Sequence, residues 1–187
     1  MDTHASLLRR IRIWILVFIV GLVVSGVTAF PLLAEVRLLE TLLTGPLAPV
    51  AEPLPGLVDW IERVRAGLAA TERDHPFILY GTDWLAFAHL VIAVAFYGPL
   101  RDPVRNVWVI QFGMIACVMV VPLALVCGPI RGIPLPWQLL DISFGVFGLV
   151  PLLIVHRMIR RLAALEEQGA GAAGASGPSS PAAVESV

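Results

Sequence analysis

Hydrophobic positions in this chain run in four long blocks instead of alternating with polar ones. Residues 13–33, 84–100, 104–126 and 137–159 are almost uninterrupted apolar stretches, relieved mainly by small residues. A helix crosses the roughly 30 Å hydrocarbon core of a bilayer with about 20 mainly apolar residues, because no water there satisfies an open backbone. The pattern therefore predicts an all-α integral membrane protein, a bundle of four transmembrane helices. A weaker element lies between the first two blocks, where Leu57, Ile61, Val64 and Leu68 recur at helical spacing while Asp59, Glu62, Arg63 and Arg65 fall mostly on other faces. That periodicity predicts an extracytoplasmic amphipathic helix over about 57–70, packed on the ends of the spans or offered to a partner. Pro46, Pro49, Pro53 and Pro55 predict an extended approach to it.

The first block follows Arg9, Arg10 and Arg12 and contains Val27, Thr28 and Ala29, a pattern that also suits a cleaved signal peptide. Its continuation through Phe30, Leu32 and Leu33 favours an uncleaved span. Arginine then sets orientation. It collects at the amino terminus, at Arg101 and Arg105 in the turn 101–103 and its flank, and at Arg157, Arg160 and Arg161 after the fourth span. With four spans these segments share one face, which predicts that both termini are cytoplasmic and that residues 34–83 and 127–136 lie outside. Within the turn, Asp102 is expected to cap the third helix with Pro103 in its first turn, and Thr82 or Asp83 to cap the second. Tyr80, Trp84 and Trp137 are expected at the interface. From Glu166 onward the chain turns to Gly, Ala, Ser and Pro and predicts a disordered tail.

Composition sharpens these limits. Of 187 residues, 58% are hydrophobic and 14% charged, with mean hydropathy +0.85, which excludes a water-soluble globule and a disordered chain. All thirteen basic residues are arginine and the formal net charge is −1, so neither lysine chemistry nor a cationic face for nucleic acid is available. Cys117 and Cys127 sit in one apolar stretch without a CxxC pair, which argues against a disulfide framework or a zinc site. The compact length and arginine-only basic usage suggest a bacterial inner membrane.

Ionisable groups at membrane depth are costly and usually face a bundle interior or a wet cavity. Here they are Asp83 and His89 in the second span, Asp141 and His156 in the fourth, with Gln111 polar in the third. His89 and Asp141 fall at similar depth, so they are expected to meet, either as a structural polar pair or as a proton- or ligand-handling site. With Asp83 and Arg131 they compose one candidate outward-facing polar pocket, in which Arg131 would recognise a carboxylate or phosphate. Glu72, Asp74 and His75 read as a solvated acidic turn, since their spacing matches no metal motif. His4 is expected to be mobile, and His156 to reach the cytoplasmic interface.

Several activities lose support by what is missing. His89 and His156 lie at unmatched depths, which argues against a bis-histidine dihaem centre, and neither HExxH nor a GxSxG setting occurs around Ser25, Ser143 or elsewhere. Small residues are more informative. Gly21 and Ser25, Ala86 and Ala93, Gly113 and Cys117, and Gly145 and Gly148 place a small face on each span, as close helix packing or a homo-oligomer requires. The leading expectation is a non-enzymatic structural, assembly or accessory membrane subunit, with the bilayer and a membrane protein as partners. The alternatives are a small transporter, sensor or cofactor-binding module around His89 and Asp141, and a membrane oxidoreductase using quinone or haem. No residue requires a cofactor or a metal, and the identity of any cofactor is unknown.

Overall fold

The structure is a computed structural model that describes residues 4–54 and 56–175. Among these residues it is all helical, with no strand. Four helices or near-continuous helical segments are long and apolar enough to cross a membrane: His4–Ala29, Pro76–Arg101, Val107–Ile130 and Leu135–Ala170. We number the helices α1 (His4–Ala29), α2 (Leu32–Thr44), α3 (Ala48–Ala51), α4 (Leu57–Asp74), α5 (Tyr80–Ala95), α6 (Tyr97–Arg101), α7 (Val107–Ile130) and α8 (Leu135–Ala175).

Element boundaries move for local reasons. The first apolar block divides at Phe30 and Pro31, so Leu32 and Leu33 begin α2 while α1 extends back to His4. A proline lacks the amide proton an uninterrupted helix would need there. The proline-rich approach is not extended: Pro49 lies inside the short turn α3, while Pro55 is outside the described residues. The expected helix near 57–70 is present as α4, which starts after Gly56 in the left-handed conformation, φ 77°. The second span starts early through a 3₁₀ turn, Pro76–Leu79. Thr82 and Asp83 therefore do not cap it, and Thr82 Oγ1 instead donates to the Leu79 carbonyl at 2.6 Å.

Asp102 also caps less than expected. Its Oδ1 accepts from the Arg105 amide at 3.0 Å, closing a turn that precedes α7 rather than the first turn of α7 itself. Asn106 Nδ2 ties that turn down by donating to the carbonyls of Gly98 at 3.2 Å and Asp102 at 2.9 Å. At the other extreme α8 continues through Glu166 to Ala175, so the predicted disorder does not begin at Glu166; residues 176–187 lie outside the described set. His4 is likewise engaged, its Nε2 lying 3.1 Å from Glu166 Oε1.

The arginine-bearing ends converge. Leu7, Ile11 and Ile15 of α1, Phe96 between α5 and α6, Val109 and Ile110 of α7, and Leu152, Val155, Ile159 and Leu162 of α8 form one buried cluster. Phe96 is its hinge, fully buried, with its ring centroid 4.7 Å from that of Phe18. Arg12 reinforces this end by donating from Nε to the Leu100 carbonyl at 3.2 Å and from Nη2 to that of Arg101 at 3.4 Å. These carbonyls end α6 and have no partner further along it.

Toward the far end the helices separate into two seams. Close contacts pair α1 with α5 and α7 with α8, while α1 against α8 joins the pairs. The four long helices thus follow the order α5, α1, α8, α7, with α1 and α8 central. Above them α2, α3 and α4 form a helical hairpin with its own core of Leu43, Ala51 and Ile61, against which Trp137 from the start of α8 packs. Arg65 Nε pairs with Glu40 Oε2 at 2.6 Å across α2 and α4.

Small residues set the seams, though not all those expected. A Cβ on Gly145 would stand 2.6 Å from the Cys117 carbonyl oxygen, and one on Gly148 would stand 3.0 Å from Cys117 Sγ. Gly113 is roofed by Phe96 Cζ, which a Cβ would meet at 2.8 Å, and Ala86 and Ala93 are buried. Gly21 and Ser25 are exposed, and Gly26 is the close-approach position on α1, where a Cβ would meet the Ala86 carbonyl oxygen at 2.9 Å. Adding a methyl at Gly145 has to push two backbones apart, so Gly145→Ala is expected to cost about 1–3 kcal/mol. Gly21→Ala, with open space around it, is expected to be neutral or slightly stabilising. Thermal unfolding of the two variants in the same detergent checks the contrast.

Candidate functional site

The four residues of the candidate pocket do not share one site. Asp83, half-buried in the first turn of α5, lines a cleft of about 300 Å³ where α1 breaks into α2. Phe30, Leu33, Leu68 and Leu79 supply apolar walls there, and Arg37, Glu72 and Thr82 join Asp83 as polar ones. Asp141, half-buried on α8, lines a different cleft of about 280 Å³ against α7, among Val120, Leu123, Ala124, Cys127, Gly128 and Ile133. Arg131 stands exposed just after α7.

His89 belongs to neither cleft. Its Nδ1 lies 2.8 Å from the Leu85 carbonyl oxygen, and a carbonyl only accepts, so Nδ1 carries the proton and donates within its own helix. Its Cβ packs where a Cβ on Gly26 would be 3.1 Å away, so the residue sits in the α1–α5 seam. Among the described residues no hydrogen bond or ion pair joins it to Asp141, which lies in the α7–α8 seam. Equal depth along two helices is insufficient for contact when the helices belong to different pairs.

The remaining candidates are satisfied locally or face outward. Asp74 accepts from Arg73 Nε at 2.9 Å and Nη2 at 3.0 Å, a hydrogen-bonded fork that holds its carboxyl below the ordinary range and raises the guanidinium. Both side chains are exposed, so water screens the pair. No group of three His, Cys, Asp or Glu side chains gathers in a metal-holding arrangement among the described residues, Glu72, Asp74 and His75 included. Ser143 Oγ donates to the Leu140 carbonyl at 2.6 Å, Gln111 is exposed, and the half-buried His156 keeps Nδ1 buried without a partner.

Besides Gly26, the linear pattern did not single out Gln138, Glu40 or Arg37. Gln138 is buried, 5% exposed, and its Nε2 donates to the Ile133 carbonyl at 2.7 Å, holding the turn between α7 and α8 against Gly128. Glu40 and Arg37 sit on α2, a helix hidden in the sequence because its apolar residues continue those of the first block. The break at Pro31 was the available signal.

The chain matches no family model, no curated protein and no solved structure in the three comparisons. Its chemistry is read from its own residues. A double-mutant cycle of His89→Ala and Asp141→Asn on unfolding stability is expected to give a coupling below about 0.5 kcal/mol, the level of residues without shared partners. A coupling above about 1 kcal/mol would place the two in one polar unit.

Proposed function

We propose that this chain is a four-span integral membrane protein, with both termini in the cytoplasm of a bacterial-type cell, acting as a non-enzymatic structural, assembly or accessory subunit. Its long helices carry large apolar side chains outward, including Val94 at 73% and Phe147 at 74% exposure. Contiguous apolar surface of that extent belongs in lipid or against another membrane protein. Aromatic side chains mark the two edges of this surface. Tyr80 and Trp84 are exposed at one end of the α5–α6 segment, and Tyr97, with Trp108 at the start of α7, at the other. Tyr80 and Tyr97 are separated by roughly 26 Å at the helical rise, close to the thickness of a hydrocarbon core. Tyr and Trp favour the interfaces because each has an apolar body and a polar tip.

One observation carries the accessory role. The α2–α4 hairpin has its own small core and the Glu40–Arg65 pair, yet Leu38, Leu47, Val50 and Leu54 remain exposed on it. A structured extramembrane element with an uncovered apolar side is suited to receive a partner.

The topology is testable first. With both native cysteines replaced by alanine, a single cysteine introduced at Glu62 is expected to react with a membrane-impermeant thiol reagent in intact cells, and one at Arg161 only after permeabilisation. The reverse pattern would overturn the orientation. For the role, a photocrosslinker at Val50 in protein expressed at its native level is expected to yield one stoichiometric adduct. Its formation should fall when Leu38 and Leu54 are changed to Ser. Recovery of monomer alone would count against an accessory subunit, and a stoichiometric haem, flavin or metal signal lost in His89→Ala would replace this reading with a cofactor-binding one.

A further inference from the structure

We propose that the cleft at the α1–α2 break is a binding site for a zwitterionic phosphoethanolamine head group, the head group of an aminophospholipid; this rests on the membrane reading above. The cleft brings together groups of opposite sign that do not neutralise each other. Arg37 from α2, Glu72 from α4 and Asp83 from α5 all line it. Among the described residues, however, Arg37 makes no ion pair with either carboxylate. By contrast, Arg65 and Arg73 each reach a carboxylate nearby. Three elements thus bring one cation and two anions to the lining of one cleft, with Arg37 and Glu72 exposed and Asp83 half-buried.

That arrangement selects its ligand by charge. A free carboxylate or phosphate would be favoured by Arg37 but repelled by Glu72 and Asp83. A simple cation would be drawn by the two carboxylates but repelled by Arg37, and it would leave the guanidinium without an acceptor. A phosphodiester linked to a primary ammonium satisfies both: the guanidinium takes phosphate oxygens, and the carboxylates accept N–H bonds from the ammonium. The excess negative charge of the site further disfavours an anionic head group.

The surroundings point to a lipid as the source. Phe30, Leu33, Leu68 and Leu79 form apolar walls beside the charges, as the first methylenes of an acyl lipid need. The cleft lies next to Tyr80 and Trp84, the exposed aromatic pair with ring centroids 6.0 Å apart, at the level assigned to head groups. Its volume of about 300 Å³ is at the small end for ligand pockets, suited to a head group rather than a whole lipid.

The test uses the full chain reconstituted in vesicles of equal phosphatidylethanolamine and phosphatidylglycerol, followed by native mass spectrometry of the released protein. Retained phosphatidylethanolamine is expected to exceed phosphatidylglycerol about five-fold or more, from charge-assisted hydrogen bonds that only the former completes. Asp83→Asn should bring that ratio toward one, and Arg37→Gln should lower retention of both lipids. Asp141→Asn, in the other cleft, should change neither. A wild-type ratio near one, or ratios and retention unchanged in both cleft variants, would overturn the site. Free O-phosphoethanolamine at equal concentration should leave the lipid bound, and its full displacement of the lipid would overturn the lipid as the source. Flotation of the protein with the same vesicles reports separately on membrane insertion. Failure to float would defeat the membrane reading, whereas flotation without selectivity would defeat only this site.

Discussion

Close backbone approach at a few small residues is the constraint on which this architecture depends. Gly145 lies against the Cys117 carbonyl and Gly26 against that of Ala86, distances no larger residue permits without separating the helices. In the proposed membrane setting the outside of each helix is as apolar as the seams, so burying hydrocarbon does little to choose helix neighbours. Steric fit and dispersion contacts choose instead. This is why the long helices can show extensive exposed apolar surface and still pack in a defined order.

The rest follows from where those contacts stop. Around Phe96 the long helices share a core, because its ring spans from Phe18 to the space above Gly113. Farther along, α1 with α5 and α7 with α8 each close on their own glycines. One cleft opens where α1 breaks into α2 and another along α7 and α8, and an aspartate lines each. The α2–α4 hairpin spans the same end, tied by Glu40 to Arg65 and touching Trp137. Its position gives the first cleft walls from α2 and α4, including the opposed charges of Arg37 and Glu72.

A membrane subunit with a structured extramembrane hairpin and a head-group site is a coherent reading of these parts. In that proposal the exposed apolar residues of the hairpin would receive a partner, and the adjacent cleft would hold a lipid head group. His89 then serves packing, its polar demand met by the Leu85 carbonyl. The buried Gln138 plays a comparable part at the other seam, where it holds the α7–α8 turn by a single hydrogen bond to Ile133.

The linear pattern was sufficient for the helical class, for four apolar segments and for a helix near Leu57 and Ile61, because each depends on length and periodicity within one stretch of chain. It misplaced local ends at Thr82 and Asp102, whose side-chain hydrogen bonds form outside the expected caps, and at Glu166, through which α8 continues. It also named Ala86, Ala93, Gly113, Cys117, Gly145 and Gly148 as small packing positions, but chose Gly21 and Ser25 where Gly26 makes the contact. Only the tertiary structure decided that His89 and Asp141 fall in different seams and that Asp83 lines a cleft with Arg37 and Glu72 instead. Depth along a helix is readable from residue number; which helices become neighbours depends on side-chain fit between segments far apart in the chain, and no local pattern encodes that fit.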